Sequence, residues 1–191
     1  MDTLKPCLIL LLIALGLLPG CAVTVGAGAA TGAAMVYDRR TTGTVIDDQL
    51  IEFKFLDGLR KDEGLWKQTH LNATSYNNVL LLTGEAPDAT LKQRAVDLAK
   101  RIEKVRQVSN EIVVAAPSSM LSRSSDSWVT AKIKSTMLTT EGVNPARFKV
   151  VTENGTVYLL GIVTRQEADA ATEIARTTGG VQRVVRLFEY H

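Results

Sequence analysis

The sequence has little of the chemistry that catalysis usually needs. Its 191 residues include two histidines, His70 and His191, and two cysteines, Cys7 and Cys21. No serine lies in a Gly-x-Ser-x-Gly turn, and the carboxylates are scattered without a recurring partner. No spacing of His, Cys and Asp is typical of a metal site. We therefore expect no enzyme, no catalytic residue, no cofactor and no bound metal.

An excess of either charge is also missing. Lysine and arginine number 22 and aspartate and glutamate 20, so the net charge is +2. Nucleic-acid-binding proteins usually carry a broad basic surface, and this composition gives no support for such a partner. A content of 46% hydrophobic and 22% charged residues is typical of a globular protein. The length allows one or two small domains.

The one long apolar run lies at the N-terminus. A lysine precedes the apolar residues 8–18, which are too few to span a bilayer comfortably and are typical of a signal peptide. The run ends at Leu18-Pro19-Gly20-Cys21, which resembles the lipobox of bacterial lipoproteins although its proline departs from the usual pattern. We predict that residues 1–20 are a lipoprotein signal peptide and that Cys21 carries the lipid. An uncleaved membrane anchor, or an ordinary signal peptide cut near Ala22, are the alternatives.

A lipidated cysteine has consequences for the mature chain. Cys7 leaves with the signal peptide and Cys21 is modified, so no disulfide remains in an oxidising compartment. The next residue is Ala22, not the aspartate that would favour retention in an inner membrane, so we predict the outer membrane, facing the periplasm. Residues 22–36 are almost all small and uncharged, which favours a flexible tether over a Gly/Ala helix. We assign the lipidated cysteine and tether to residues 21–45.

The remainder of the chain repeats one pattern. The turn dipeptides Asn77-Asn78 and Asn154-Gly155 each lead into a short aliphatic strand that ends on a glycine, which indicates the second arm of a β-hairpin. Similar helical patterns flank each hairpin, so the chain holds two copies of one module. We place the modules at residues 46–115 and 125–191, joined by a serine-rich linker, residues 116–124.

Each module has the predicted order helix, strand, strand, helix, strand. Asp48 and Asp126 precede the apolar stripes of the first helices and are predicted to act at their N-termini, Asp126 as the cap. A mixed three-stranded sheet with two helices on one face buries both helical stripes. The predicted fold class is therefore α+β, with two tandem αββαβ modules. A module of about 65–70 residues is only marginally stable alone, so the two are expected to support each other.

The second module carries a family resemblance. Its Val-x-Leu-x-Gly strand at Val157–Gly161, its alanine-rich second helix and its Val-x-x-Val at Val181–Val184 resemble the BON domain. Two such modules behind a lipobox resemble outer-membrane lipoproteins of that family over essentially the whole chain. The resemblance implies a non-catalytic protein that binds anionic phospholipid, such as phosphatidylglycerol, through its second module. It also implies association with division sites and support of outer-membrane integrity.

The first helix of the second module independently fits a membrane surface. If the helix is projected from Asp126 at about 100° of rotation per residue, its core-facing stripe holds Val129, Ile133 and Met137. The other side carries the predicted phospholipid-binding residues, which are Trp128, Ala131, Lys132, Ser135, Leu138 and Thr139. Tryptophan and leucine side chains enter the headgroup region of a bilayer while lysines meet the phosphates. The matching helix of the first module is more acidic and has no tryptophan, so we expect the second module to bind the lipid. We also expect the protein to be a monomer.

Two alternatives remain open for this helix. Trp128 and Leu138 would pack against the first module, or against the linker at Met120 and Leu121, if the face is internal. The protein would instead be a BON-domain adaptor if its surfaces bind another envelope or divisome protein. Lipid binding alone predicts a preference for anionic headgroups, weakening by salt, and loss of binding when Trp128 or Lys132 is changed.

Two further expectations concern the first module. Arg39 and Arg40 precede its first helix and are expected to be solvated surface residues. Trp66 follows a flexible stretch and is expected to cover the core of its own module.

Overall fold

A computed structural model describes residues 38–116 and 120–191 of the chain. The predicted signal peptide, Cys21 and most of the predicted tether lie outside these residues. In the described ranges, no helix combines the length and the apolar character that crossing a bilayer requires.

The first module contains three helices and a mixed sheet. Its elements are α1 (Thr42–Lys61), α2 (Glu63–Gln68), β1 (His70–Tyr76), β2 (Val79–Ala86), α3 (Ala89–Lys100), β3 (Gln107–Asn110) and β4 (Val113–Val114). Strand β1 pairs antiparallel with β2, and β3 and then β4 run parallel to β2. The short helix α2 and the interruption between β3 and β4 were not predicted, and α1 begins before residue 46.

The second module repeats this order. Its elements are α4 (Met120–Thr139), a 3-10 turn (Pro145–Arg147), β5 (Phe148–Glu153), β6 (Thr156–Val163), α5 (Arg165–Thr177) and β7 (Arg183–Tyr190). Strand β6 is central, antiparallel to β5 and parallel to β7. Two mixed sheets, each covered by helices on one face, confirm the predicted α+β class with two tandem αββαβ modules. Helix α4 begins inside the predicted linker.

The core of each module lies between its helices and one face of its sheet. In the first module α1 contributes Ile51, Phe55 and Leu59, which are buried with Leu80 and Leu82 of β2. In the second module the corresponding buried residues are Val129, Ile133 and Met137 of α4 with Val157 and Leu159 of β6. Successive strand residues point to opposite faces, so the residues between these strand positions point away from the helices.

Those opposite faces pack against each other. Tyr76 and Leu81 of the first sheet form one buried cluster with Tyr158 and Leu160 of the second sheet. The layers therefore follow the order helices, sheet, sheet, helices. Burial at this interface raises the pKa of Tyr76 to about 12.

Polar contacts surround this apolar interface. The Asn72 amide donates to Glu153 at 2.9 Å, and the Asn77 amide donates to Glu189 at 3.0 Å. Arg183 pairs with Glu111 at 3.2 Å. The two modules are thus joined through both apolar and polar side chains, which agrees with the expectation that they support each other.

Asp48 and Asp126 do not act at the helix N-termini, as the sequence had suggested. Helix α1 is capped by Thr41, whose hydroxyl accepts from the Thr44 N–H, and α4 begins at Met120. Both aspartates therefore lie inside helices, and both are buried. An acidic residue before an apolar stripe resembles a cap in sequence, which explains the wrong assignment.

Each of these aspartates binds the turn of its own hairpin. Asp48 accepts hydrogen bonds from the backbone N–H groups of Asn77 and Asn78, both at 2.8 Å. Asp126 accepts the equivalent bonds from Asn154 and Gly155 at 2.8 and 2.9 Å. All four turn residues have positive φ, which leaves their N–H groups free of the strand ladder and directed at the carboxylate.

Arg39 and Arg40 are not solvated surface residues. The Arg40 guanidinium lies 3.9 Å from the ring centroid of Tyr76, and its Nη1 lies 2.9 Å from Oδ2 of Asp48. Arg39 donates to the Ile162 carbonyl at 2.9 Å and to Glu167 at 2.6 Å. The segment before α1 is therefore tied to both modules.

Trp66 does not cover the core of its module. Its side chain is 48% exposed, and the Arg60 guanidinium lies 5.4 Å from its ring centroid.

Replacing Asp126 by asparagine should lower the free energy of unfolding. An amide keeps one acceptor oxygen but turns an NH₂ donor toward a backbone N–H, and such a buried mismatch costs about 1–3 kcal/mol. Urea denaturation measures the loss. Asp169→Asn is the control, because that side chain is 74% exposed in a pair with Arg186. Equal stabilities of the two variants would contradict the role given to Asp126.

Glu167 should make the stability of the protein sensitive to acid. Burial by itself would raise the pKa of Glu167, but Arg39, the Thr164 N–H and Arg147 together lower this pKa from 4.5 to about 2. The folded pKa lies below the unfolded one, so the stabilisation is present above pH 4.5 and is lost as the pH falls toward 2.

Glu167→Gln should therefore be less stable than the parent at neutral pH. Between about pH 5 and pH 2 it should lose less stability than the parent does. Thermal unfolding at a series of pH values measures both effects. Glu103→Gln is the control, since that side chain is 79% exposed. A parent-like acid dependence in Glu167→Gln would refute this account.

Candidate functional site

Helix α4 presents large apolar side chains to solvent. Its stripe of Val129, Ile133 and Met137 is buried in the core, as predicted. On the other side, Trp128 is 58% and Leu138 72% exposed. The alternative that these two side chains pack against the first module or the linker is therefore wrong.

The six predicted lipid-binding residues share one property, which is that all of them are exposed. They are Trp128, Ala131, Lys132, Ser135, Leu138 and Thr139. We call this surface the α4 face. Its alanine, serine and threonine have short side chains, so the side chains of Trp128 and Leu138 extend further from the helix than these do.

Trp128 and Lys132 form a pair on the α4 face. They are one helical turn apart, and the Lys132 Nζ lies 5.0 Å from the centroid of the indole ring. A lysine ammonium at this distance is attracted by the ring face. The pair therefore places an aromatic ring and a cation next to each other on the helix surface.

The surroundings of the α4 face are basic. Burial lowers the pKa of Lys134, and the nearby Lys149 of β5 lowers it further by repulsion. From residue 123 to the end of α4 the one acidic residue is Asp126, which is buried and holds the hairpin turn. Lys149 is also paired with Glu52 of α1 at 3.6 Å, so part of this positive charge is already balanced.

The position of α4 on its sheet is fixed at two points. Asp126 holds the β5–β6 turn, and the Thr130 hydroxyl donates to the Thr152 hydroxyl of β5 at 2.7 Å. Because the buried stripe and these polar contacts set the rotation of the helix, the α4 face is held outward.

Helix α1 carries a second exposed apolar stripe that sequence reasoning did not recognise. Ile46, Leu50, Phe53 and Leu56 are 52%, 48%, 64% and 37% exposed. We call these four residues the α1 stripe. The apolar residues of the α1 stripe recur at helical spacing outside the core stripe, and this periodicity could have predicted the stripe from the sequence.

The charges around the α1 stripe are mixed. Asp47 pairs with Lys104 at 2.7 Å, and Asp57 pairs with Lys61 at 2.6 Å. Glu52 is half-buried and accepts from the Ser75 N–H at 2.8 Å. An anionic membrane would meet carboxylates here that the α4 face lacks.

One group of potential metal ligands comes together within the described residues. It consists of His70, Glu85 and Glu153, where the two sheets meet. The sequence did not predict this group, because its members are far apart in the chain.

Comparison with known proteins gives a family and several relatives. The family model for the BON domain matches residues 47–116 and 125–191. The chain is 42% identical over 173 residues to the outer membrane lipoprotein DolP of Haemophilus influenzae. The alignment covers 91% of this chain and 90% of that protein. It is 37% identical to a 21 kDa hemolysin of Actinobacillus pleuropneumoniae, covering 80% and 79% of the two chains. It is 30% identical to the osmotically-inducible protein Y of Escherichia coli, covering 74% and 72%.

Proposed function

Because the chain belongs to the BON-domain family, we propose that it is an outer-membrane lipoprotein whose second module binds anionic phospholipid. Its relative in Haemophilus influenzae is named as an outer membrane lipoprotein, and the lipobox ending at Cys21 would supply the same kind of anchor here. In this proposal the modules face the periplasm and support outer-membrane integrity at division sites. They act by binding and not by catalysis.

The observation that carries the proposal is that Trp128, Lys132 and Leu138 are all exposed on the α4 face. A tryptophan at the membrane–water interface keeps its ring among the headgroups, and a neighbouring leucine enters deeper. A lysine near an anionic membrane surface contributes about 1 kcal/mol. All three side chains project from one rigidly held helix, so they reach the membrane together.

The charge distribution supports an anionic headgroup over a zwitterionic one. Lys132 lies on the α4 face, and Lys134 of α4 lies near Lys149 of β5. The exposed part of α4 from residue 123 onward has no carboxylate to repel a phosphate. Phosphatidylglycerol offers a phosphate without a compensating cation, and so fits this surface.

The lipid anchor and the α4 face have different tasks in this mechanism. Acyl chains on Cys21 would choose the membrane and hold the modules near it. Tethering raises the effective concentration of the α4 face at the surface, so a weak intrinsic affinity is sufficient. The α4 face would then respond to the local headgroup composition.

An NMR titration of residues 22–191 tests this function directly. Micelles containing phosphatidylglycerol should shift the signals of Trp128 to Thr139, and micelles of zwitterionic lipid should not. Trp128→Glu should abolish the shifts. Trp66→Glu is a matched control, because Trp66 is also a half-exposed tryptophan with a cation above its ring. Unchanged shifts in Trp128→Glu would refute lipid binding by the α4 face.

Lys132→Gln should weaken binding to phosphatidylglycerol about fivefold, as expected for the loss of about 1 kcal/mol. Added salt should weaken the parent more than this variant. Vesicle sedimentation at two ionic strengths measures both effects. Lys54→Gln, at the equivalent position on α1, is the control and should bind like the parent. Equal losses in the two variants would mean that overall charge, and not the α4 face, drives binding.

The α1 stripe favours a second function, that of an adaptor for another envelope protein. A groove of about 320 Å³ runs beside it, lined by Phe53 and Leu56 of α1 and by Leu71 and Ala73 of β1. Since β1 is an edge strand, an extended peptide could pair with it while its apolar side chains meet the α1 stripe.

The two functions separate by mutation. Phe53→Asp should impair outer-membrane integrity in cells without changing lipid binding in vitro if the adaptor function operates. Trp128→Glu should impair both. Sensitivity of the cells to detergent, measured beside vesicle binding of the purified chains, distinguishes the two outcomes. Parent-like cells carrying Phe53→Asp would argue against the adaptor.

A further inference from the structure

Three side chains with metal-binding atoms meet where the two modules join. His70 begins β1 and lies directly across the strand pair from Glu85 at the end of β2. Glu153, at the end of β5, comes from the other module. One ligand atom from each residue lies within 4.8 Å of the other two.

The group is largely withdrawn from solvent. Glu85 is 2% and Glu153 8% exposed. The Nε2 atom of His70 is buried and has no hydrogen-bond partner among the residues that the structure describes. Buried polar atoms are normally satisfied, so this nitrogen indicates a missing partner.

Negative charge is concentrated around the same point. Glu85 and Glu153 bring two buried carboxylates to one place. A cation placed between Glu85 and Glu153 would relieve this crowding.

We propose that His70, Glu85 and Glu153 bind one divalent transition-metal ion, of which Zn²⁺ is the best match. Imidazole nitrogen and carboxylate oxygen are usual zinc ligands, whereas Mg²⁺ and Ca²⁺ prefer oxygen alone. The ion links the two modules, because two of its ligands belong to the first module and one to the second.

The geometry requires a modest closure. Bonds of about 2.1 Å place tetrahedral ligand atoms about 3.4 Å apart, so the three side chains move together by roughly 1 Å through rotamer adjustment. A cavity of about 430 Å³, lined by His70 and Glu153, adjoins the group. It has room for a water molecule as the fourth ligand.

Neighbouring side chains hold both carboxylates in place. The Asn72 amide donates to Glu153 at 2.9 Å, and the Thr83 hydroxyl donates to the same oxygen at 3.4 Å. The Asn154 amide donates to Glu85. Such outer hydrogen bonds are typical of metal sites, where they orient the ligands.

Arg123 competes with the ion. Its Nη1 lies 3.4 Å from Nδ1 of His70 and favours the tautomer with the proton on Nε2. Metal binding through Nε2 requires the other tautomer, so Arg123 must turn away into the cavity that it lines with Asp126. The Nε of Arg123 has no partner in the described part of the chain, so no hydrogen bond from it holds the guanidinium in place.

Isothermal titration calorimetry with ZnCl₂ tests the site on the full-length chain, purified in detergent without a polyhistidine tag and treated with a chelator. We expect one ion per chain. Glu153→Gln and Glu85→Gln keep an acceptor oxygen for the neighbouring amides but lose the charge, and should weaken binding at least about tenfold, as should His70→Gln. Arg123→Gln should strengthen it. His191→Gln is the matched control and should bind like the parent.

Further measurements distinguish the loss of a metal ligand from misfolding of a variant. Circular dichroism without metal should be the same for all chains. ZnCl₂ should raise the Tm of the parent, of His191→Gln and of Arg123→Gln, and should raise it much less in the three ligand variants. Co²⁺ bound to the parent should give the visible absorption of a histidine-ligated ion. The proposal is overturned if the parent binds no Zn²⁺. It is equally overturned if only His191→Gln loses binding, or if Glu85→Gln and Glu153→Gln bind like the parent.

Discussion

A buried aspartate that joins a helix to a hairpin turn is the interaction on which both modules depend. Asp48 and Asp126 each accept two backbone N–H groups from a turn whose residues have positive φ. Hydrogen bonds to a buried carboxylate are among the stronger ones in proteins, and they fix the helix on its sheet in both position and rotation. The outward face of each first helix is therefore determined by an interaction that lies on its inward side.

The turns held in this way also join the modules. Asn77 is bound through its N–H to Asp48 and donates from its amide to Glu189 of the other module. Asn154 is bound through its N–H to Asp126 and donates from its amide to Glu85. The two copies thus use the same residue type at the same turn, in opposite directions. This reciprocity resembles the contacts across a two-fold axis, although the partners are two halves of one chain.

The sequence predicted the hairpins, the helix order and the α4 face because each depends on local periodicity. It did not predict the packing of the sheets, because β2 and β6 are apolar on both faces and their pattern does not say which residues meet the helices. The burial of Tyr76 of β1 and Tyr158 of β6 between the sheets was therefore not predicted. The group of His70, Glu85 and Glu153 was missed for the same reason, since it forms only when the sheets meet.

Charge, and not apolar area, distinguishes the two helix faces. The α1 stripe has four large exposed apolar side chains and the α4 face has two, so burial of apolar surface alone would bring α1 to a membrane. Asp47, Glu52 and Asp57 on α1 are paired with Lys104, Lys149 and Lys61, so the charges around the α1 stripe largely cancel. Lys132 on the α4 face has no carboxylate partner in the described part of the chain, and one such lysine near an anionic surface changes the free energy by an amount similar to that of a partly buried apolar side chain. Under the proposed function, an anionic surface would therefore select α4 and leave the α1 stripe available to a protein.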